Sequence, residues 1–466
     1  MNARIKLVAL ILLALPAYVK AQSDEQQALN RAYAAGYKAQ FLCSGLWNGG
    51  KTVEQIERDE LTGIYPEIAD IVPTLKAEID QERKMVTVAF SENTPPRIAK
   101  FQSHDDGCVS LPIGWQLKTE EGFNNLPTPN VQSAYPPGHL DNAYWPMGDK
   151  TNPFTAEPTF QKIAKVADSG FDNPEFGNGK TSAILITKGG NIYYEKYALG
   201  HDMHTSQRTW SVAKSIAATY VGYMKHASGD ALNLYSSHIL RDPRNSVSID
   251  HMLRMSSGFV SDSPGNRTDA IYMGGGAVEE YATIWPVVHK PGTVFRYANN
   301  DTLLAVLKSE NISRQKKPFL SLSELFRKIG MTRTVAERDW RYRYILSSQV
   351  WTTPRDLARL GQLYLNDGRW PYGERPERLL PENWRDYVSK PSGPQPDGKF
   401  GYGAQFWLMN KSDGIPADTF AAFGNRGQYL VIIPSLNMVI VRRGYDSEGS
   451  HFDIEAFTRD IVAAVQ

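Results

Sequence analysis

Alternating apolar and polar positions predict β-strands at both ends of the C-terminal two thirds of the chain. Residues 183–187 and 192–197 are rich in β-branched and aromatic side chains, and a short glycine-containing turn segment separates them. Residues 428–433 and 438–442 repeat this arrangement on either side of a second turn segment. We therefore predict two β-hairpins that bracket the intervening chain.

Between the two hairpins, the pattern predicts mainly helices joined by long loops. One helix begins at about Ser211, and another has Thr353 as its cap, Pro354 in its first turn and Gly368 at its exit. The last residues, 453–465, have the periodicity of an amphipathic helix. Strands at both ends with helices between them predict one antiparallel sheet closed by the two ends, with a helical insertion.

The first part of the chain mixes shorter patterns. Residues 24–40 and 52–60 have helical patterns, and residues 85–90 alternate like a strand. These segments predict a small α+β extension at residues 22–125.

A long segment rich in proline, asparagine and glycine follows at residues 126–158. This composition is typical of an extended connection between folded units. We therefore predict a linker there and one large domain at residues 159–466, with no internal repeat.

The N-terminus has the three-part pattern of a secretory signal. Arg4 and Lys6 precede an apolar stretch at 7–19. The stretch is followed by Ala21, a small residue of the kind that a signal peptidase accepts at its cleavage site. We predict a signal peptide at 1–21 and export to the periplasm or the medium. An uncleaved membrane anchor is the alternative, but the apolar stretch is shorter than the ~20 residues that a spanning helix needs.

The charge balance and the cysteine content bear on the possible partners and on a possible disulfide. Lys plus Arg number 51 and Asp plus Glu number 50. The chain therefore has no basic surplus that would suggest a nucleic-acid partner.

Cys43 and Cys108 are the only cysteines. In an oxidising compartment they predict one disulfide, which could stabilise the fold by ~4 kcal/mol. Two buried thiols that never meet are the alternative.

The segment around Ser211 carries the first candidate chemistry. Ser211 and Lys214 form a Ser-x-x-Lys motif, and residues three apart lie on one face of a helix. A serine hydroxyl becomes a nucleophile when a base takes its proton, and a lysine with a lowered pKa can be that base. The free N–H groups at a helix N-terminus suit an oxyanion. The motif alone is a weak signal, because both residues are common.

Two further segments add context. Tyr297 and Asn299 follow a turn, where Tyr297 could share the proton transfer and Asn299 could hold a substrate amide or carbonyl. Gly424 and Gly427 lie before the second hairpin and would let a substrate approach the strand backbone closely. The structural alternatives are that Tyr297 is a core residue, that Asn299 only forms a turn, and that the glycines only allow a bend or bulge.

Other motif-like features indicate no cofactor. His201 and His204 have metal-like spacing, but no third ligand and no His-Glu-x-x-His motif is evident. The glycines at 274–276 lack the P-loop pattern and indicate a flexible loop. We therefore predict neither a metal site nor a cofactor.

The order of three segments resembles that of the serine β-lactamase and penicillin-binding-protein superfamily: Ser211-Val-Ala-Lys214, Tyr297-Ala-Asn299 and the stretch around Gly424. More narrowly, it is similar to the class C-like branch, which includes esterases, D-aminopeptidase-type enzymes and 6-aminohexanoate-dimer hydrolases. The resemblance covers roughly residues 160–466. It implies an α+β fold, an α/β sandwich whose antiparallel sheet is flanked by helices, with a helical domain and an active site between them. Supporting segments are 251–258, 353–361, 364–370 and 401–407.

The resemblance also implies roles for individual residues. Ser211 would be the acyl-accepting nucleophile and Lys214 its base. Tyr297 would be a second acid/base that protonates the leaving group, and Asn299 would orient the substrate. The backbone N–H groups of Ser211 and Asn425 would form the oxyanion hole, where one lost donor costs ~3–4 kcal/mol of barrier.

One departure from the family pattern bears on the substrate. The third motif, Lys-Thr-Gly or His-x-Gly in relatives, is here Ala422-Phe423-Gly424, so the cation that would meet a substrate carboxylate is missing. Arg426 could replace it, but strand alternation leaves its direction open.

The resemblance, with this departure, implies an exported serine hydrolase that acts on small ester, amide or peptide-like substrates. β-Lactamase or D-Ala-D-Ala peptidase-type activity is one alternative, and a non-catalytic ligand-binding module is another. The sequence leaves the oligomeric state open.

Overall fold

The computed structural model describes residues 3–116, 137–151, 158–236, 242–260, 268–315, 320–373 and 375–466, with side chains from residue 24 onward. The described residues form thirteen α-helices and sixteen strands. The helices are α1 Ala3–Trp47, α2 Val53–Asp59, α3 Pro66–Ala69, α4 Pro158–Ser169, α5 Val212–Ser228, α6 Ile249–Leu253, α7 Asp269–Tyr272, α8 Val278–Tyr281, α9 Asn299–Arg314, α10 Leu322–Lys328, α11 Pro354–Leu365, α12 Trp384–Ser389 and α13 Ile454–Val465.

A seven-stranded antiparallel sheet forms the centre of the larger part of the molecule. Its strand order is β12-β13-β14-β15-β16-β5-β6. Strand β16 pairs with β5, with Val441 opposite Leu185, so the end of the chain closes the sheet against its earlier hairpin. Both predicted hairpins are confirmed, and so is the predicted sheet. The strands are β5 Thr181–Lys188, β6 Asn191–Tyr197, β12 Gly401–Tyr402, β13 Trp407–Leu408, β14 Phe420–Gly424, β15 Gln428–Ile433 and β16 Met438–Gly444.

Helices cover both faces of this sheet, because its strands are apolar on both sides. On β5, Ile184 and Ile186 face a core formed with α4 and α13, whereas Leu185 faces the core around α5 and α11. Alternate side chains of a strand point to opposite faces, so one continuous apolar run serves two cores. The predicted α/β sandwich is therefore confirmed.

The helical part lies between the two halves of the sheet in the sequence. Helix α5 is its centre, and residues 212–224 are buried throughout. Helix α11 begins where predicted, because the Thr353 side chain accepts a hydrogen bond from the Asp356 N–H at 3.2 Å. Gly368, with φ of +73°, turns the chain away after the helix. Short strands complete this part: β7 Gln207–Arg208, β8 Val335–Ala336, β9 Val350–Thr352, β10 Arg369–Trp370 and β11 Glu377–Arg378.

The N-terminal unit is defined here as residues 24–116. Its four strands form an antiparallel meander against α1: β1 Ala77–Asp80, β2 Met85–Val88, β3 Arg97–Ser103 and β4 Gly107–Ser110. Helices cover the segments predicted at 24–40 and 52–60, and the strand predicted at 85–90 is present over 85–88. Cys43 of α1 and Cys108 of β4 form a disulfide.

The N-terminal unit shares a buried core with the rest of the chain. Phe41 packs against Trp351, and both are nearly inaccessible to solvent. The buried carboxylate of Glu337 accepts hydrogen bonds from Gln40 Nε2 at 3.0 Å and Asn48 Nδ2 at 2.8 Å. A carboxylate so enclosed needs these donors, because burial without partners is costly. The two parts are therefore closely packed, and the division into domains by sequence stays a prediction.

Within the predicted linker at 126–158, residues 126–136 and 152–157 lie outside the described residues, as do residues 117–125 of the predicted extension. The intervening residues 137–151 lie on the large domain. Arg359 donates hydrogen bonds to the carbonyls of Pro146 at 2.6 Å and Gly148 at 2.7 Å. This section of the predicted linker is thus held by buried side chains.

The N-terminal residues bear on the predicted export. Helix α1 begins at Ala3, and the structure describes side chains only from residue 24 onward. Among the described residues, we find no helix that has both the length and the apolar character needed to cross a membrane. The signal peptide at 1–21 stays a prediction.

Candidate active site

Ser211 lies at the N-terminus of the buried helix α5. The strand before it, β7, pairs with β9 and places Arg208 opposite Trp351. Between strand and helix, Trp210 has φ of +51°, a left-handed conformation that is uncommon for a large side chain. This turn directs the chain from the strand into the helix, and Ser211 is the residue at which the helix starts.

Lys214 meets Ser211 one turn along the helix. Its Nζ lies 3.0 Å from Ser211 Oγ and 2.9 Å from the Ser347 carbonyl oxygen. The side chain is buried, and burial lowers the pKa of the Lys214 amine to about 7, with a smaller contribution from the positive charge of Arg208. A substantial fraction of neutral amine at neutral pH can accept the serine proton.

Tyr297 lies on the other side of the serine. Its side chain is hydrogen-bonded to that of Ser211, and Lys214 Nζ lies 4.9 Å from the centre of its ring. Burial raises the pKa of the Tyr297 phenol, so the phenol stays protonated at neutral pH. Trp407 stacks on the ring at 5.6 Å between centroids. The structure thus brings the Tyr297 phenol, from a distant segment of the chain, next to the Ser211 hydroxyl and the Lys214 amine.

Asn299 and Asn425 border the same cleft as Ser211. Asn299 is the first residue of α9 and is buried. Asn425 is an exposed residue in the turn after β14, where its Oδ1 accepts a hydrogen bond from the Arg426 N–H at 2.8 Å. Both are therefore placed within reach of a molecule bound at Ser211.

Gly424 ends β14 directly against the start of α5. A Cβ atom there would lie 2.3 Å from the Thr209 carbonyl oxygen and 3.2 Å from the Val212 nitrogen. Real Cβ atoms do not approach backbone so closely, so only glycine allows this contact. The glycine of the third motif therefore sets the distance between the strand and the Ser211 turn.

Replacing Gly424 with alanine should separate these two segments. We expect Gly424→Ala to lower the free energy of unfolding by about 1–3 kcal/mol, as for overpacking in a rigid core, and to slow any labelling of the Ser211 hydroxyl by a serine-directed phosphonate. Denaturant unfolding and labelling kinetics measure the two effects. Gly398→Ala is the control, because a Cβ there meets nothing within 4 Å. Equal behaviour of both variants would contradict the close contact.

Arg426 does not lie in the cleft. Its Nη2 donates to the Thr62 carbonyl at 2.8 Å and its Nε to the Asp446 carbonyl at 3.2 Å. These bonds direct the buried guanidinium into the contact with the N-terminal unit. It therefore does not replace the missing third-motif cation, a question that strand alternation left open.

The cleft around Ser211 has a volume of about 450 Å³. The described residues that line it include two carboxylates, of Glu67 and Glu448, and no lysine or arginine. The lining residues within the described part of the chain are Tyr65, Pro66, Glu67, Trp210, Ser211, Tyr272, Tyr297, Asn299, Ser348, Asn425 and Glu448. Part of the wall thus comes from the N-terminal unit, which sequence reasoning did not connect with the site.

Arg208 is a second contributor that sequence reasoning missed. Its guanidinium carbon lies 4.0 Å from the centre of the Trp210 ring, and Nη2 donates to Ser348 Oγ at 2.7 Å. The charge is buried and lowers the pKa of Lys214. Its position three residues before Ser211 is the only signal in the sequence, because its effect depends on the turn at Trp210.

The histidine pair does not converge on one point. The His201 ring packs near Tyr445, at 5.6 Å between centroids. His204 lies near Asp141 and Asp149, and these three side chains could together reach a metal ion. However, Arg333 pairs with Asp141 and Arg359 with Asp149. These cations already compensate both carboxylates, which disfavours a further cation.

The fold and the Ser-x-x-Lys helix together define a class of α+β proteins with a serine-centred cleft. Residues 177–443 match the family model described as Beta-lactamase. The match spans more than half of the chain, and the chain therefore belongs to the β-lactamase family of hydrolases. The predicted superfamily is confirmed.

Several solved structures are similar to this chain. A β-lactamase/D-alanine carboxypeptidase from Pseudomonas syringae is 15% identical, with a TM-score of 0.49, and the match covers 66% of this chain and 99% of that one. A family VIII carboxylesterase is also 15% identical, with a TM-score of 0.49 and coverage of 67% and 98%. A penicillin-binding protein from Bacillus halodurans is 15% identical, with a TM-score of 0.48 and coverage of 64% and 98%. No curated protein matches the sequence.

Proposed function

We propose that this protein is a serine hydrolase that forms an acyl-enzyme on Ser211. The proposal rests on the geometry around the Ser211 hydroxyl. The buried Lys214 amine lies 3.0 Å from this hydroxyl, and the Tyr297 phenol is hydrogen-bonded to it. A nucleophile and base in hydrogen-bond reach, oriented by a third group, are typical of covalent catalysis. Membership of a hydrolase family agrees with this role.

Acylation would proceed as follows. Neutral Lys214 takes the Ser211 proton while Ser211 Oγ forms a bond to the substrate carbonyl carbon. The carbonyl π electrons move to its oxygen, which the N–H groups of Ser211 and Asn425 stabilise. When the carbonyl re-forms, the bond to the leaving alcohol or amine breaks. Tyr297 protonates that leaving group and regains a proton from Lys214.

Deacylation would reverse the same proton transfers. Water enters the position vacated by the leaving group and gives a proton through Tyr297 to Lys214, while its oxygen attacks the acyl carbon. The Ser211 oxygen then leaves and regains the proton. Asn299 would hold the substrate amide or carbonyl during both steps. Each cycle consumes one water and needs no cofactor.

The substrate class follows from the charges of the cleft. Relatives that bind a substrate carboxylate use a third-motif cation, but here β14 carries Ala422 and Phe423, and Arg426 is directed elsewhere. The described lining contributes the carboxylates of Glu67 and Glu448. We therefore propose esters or amides that carry no carboxylate, in preference to β-lactams.

A matched series of p-nitrophenyl esters measures this preference: heptanoate, 7-aminoheptanoate and the pimelate monoester. The three acyl chains have equal length and differ in terminal charge. At low ionic strength, we expect the pimelate ester to have a kcat/KM about tenfold below heptanoate, because like charges oppose its binding. Glu448→Gln should reduce the difference. Faster hydrolysis of the pimelate ester would contradict the proposed substrate class.

Intact-mass measurement provides the direct test of the proposed function. Incubation with a fluorophosphonate should add one phosphonyl group to the protein, and slow esters should add one acyl group. A screen of esters, short amides and β-lactams would then identify the acyl donors. Tight binding without any adduct or turnover would instead support a non-catalytic binding module.

We also propose that the protein works outside the cytoplasm, in the periplasm or the medium. The signal-like N-terminus and the Cys43–Cys108 disulfide support this location, because disulfides persist in oxidising compartments.

A further inference from the structure

The residue before the proposed nucleophile has an unusual conformation and an unusual environment. Trp210 has φ of +51° and is buried. Its ring lies 6.0 Å from the ring of Phe41 and meets the ring of Tyr65 edge-on at 6.0 Å. The Arg208 guanidinium lies 4.0 Å from its centre. Two of these three neighbours belong to the N-terminal unit.

Phe41 is the central member of this aromatic cluster. It lies in the buried half of α1, with its side chain 2% exposed. Tyr37 stacks on it at 4.2 Å, Trp351 lies edge-on at 6.1 Å, and the Arg208 guanidinium lies 4.9 Å from its ring centre. Phe41 therefore contacts both residues that hold the Ser211 turn, Arg208 before it and Trp210 within it.

A left-handed backbone at tryptophan is unfavourable and persists only where the surroundings determine it. Here the ring of Trp210 can occupy its site between Phe41 and Tyr65 only while the backbone keeps this turn. If the aromatic contact loosens, Trp210 can relax to an ordinary conformation. Because Ser211 is the next residue, its hydroxyl would then move relative to Lys214 and Tyr297.

We propose that Phe41 is a positioning residue for the Ser211 nucleophile, so that the N-terminal unit is part of the catalytic apparatus. This inference rests on the proposed function of Ser211. It assigns a role to a segment in which the sequence indicated no chemistry. Phe41 itself is buried behind Trp210 and touches no substrate, so it acts through the Trp210 turn and the Arg208 guanidinium.

Phe41→Leu tests the proposal, because leucine remains apolar but removes the flat ring. Phe101→Leu is the matched control: Phe101 is also buried in the N-terminal unit, but it packs on Trp47 and His104. Stopped-flow acylation by an activated ester, thermal unfolding and the pH profile of acylation are measured for both full-length variants.

We expect Phe41→Leu to lower the single-turnover acylation rate by ~10–100-fold with little change in KM, since small displacements of a nucleophile cost this much. Its pH profile should also shift, because Arg208 loses an aromatic partner and the positive charge of Arg208 lowers the pKa of Lys214. Phe101→Leu should lose similar thermal stability but less than threefold in rate. Acylation by Phe41→Leu as fast as by Phe101→Leu would overturn the positioning role.

Phe41→Met provides a second variant if Phe41→Leu folds poorly, because methionine fills a similar volume without a ring. A reduced acylation rate in this folded variant supports the proposal, and a wild-type rate overturns it. Different results would overturn the proposed function of Ser211 and the positioning role of Phe41. A wild-type protein that forms no phosphonyl adduct overturns the proposed function, whereas a wild-type-like rate without the Phe41 ring overturns only the positioning role.

Discussion

Ser211→Ala is expected to abolish hydrolysis of activated esters and labelling by a fluorophosphonate. The loss in kcat should be about 10⁴-fold or more, as when the nucleophile is removed from a cooperating group of catalytic residues. The variant should fold normally, because the hydroxyl is replaced by a smaller group at the open end of α5. Intact mass and p-nitrophenol release measure the two effects.

The control for this prediction lies in the same helix. Ser215 follows Lys214 directly, but its Oγ donates to the Gln405 carbonyl at 2.6 Å, away from the cleft. Ser215→Ala should therefore remain labelled, and loss of the hydrogen bond should cost about 1 kcal/mol of stability or more. An adduct on Ser211→Ala would assign the nucleophile to another residue and contradict the proposal.

Lys214→Met is expected to lower kcat/KM by about 10³-fold, within the range of general base catalysis. Methionine nearly matches the length of lysine and suits a buried site, so the fold should be retained. For the wild type, kcat/KM should rise with pH through about 7, because burial lowers the pKa of the Lys214 amine to about 7 and the neutral form is the base. Below that pH, the ammonium cannot take the serine proton.

The pH profile can be shifted without altering the base. Removing the positive charge in Arg208→Gln should stabilise the Lys214 ammonium, raise its pKa and move the acid limb to higher pH. Arg208→Lys keeps the charge and should move the limb less. A wild-type kcat/KM that is constant from pH 5.5 to 9 would contradict the role of Lys214 as base.

Much of the site could be predicted because its first motif is local. Ser211 and Lys214 meet through the geometry of one helical turn, which any helix at this position would produce. Tyr297 was only one candidate in a turn segment until the resemblance to a family gave it a role, since no periodicity connects it with Ser211. The direction of Arg426 could not be predicted, because it lies in a turn with φ of +58°, where strand alternation does not apply.

By itself, the sequence determined the elements whose signals lie within a few residues. These are the two hairpins, the Thr353 cap and the Ser-x-x-Lys spacing, because turn chemistry, capping and helical periodicity act over short distances. Only the tertiary structure decided that Phe41 and Tyr65 enclose Trp210, that the charge of Arg208 lowers the pKa of Lys214, and that Glu67 reaches the cleft. These contacts join segments far apart in the chain, and burial of shared apolar surface, which no local pattern encodes, brings them together.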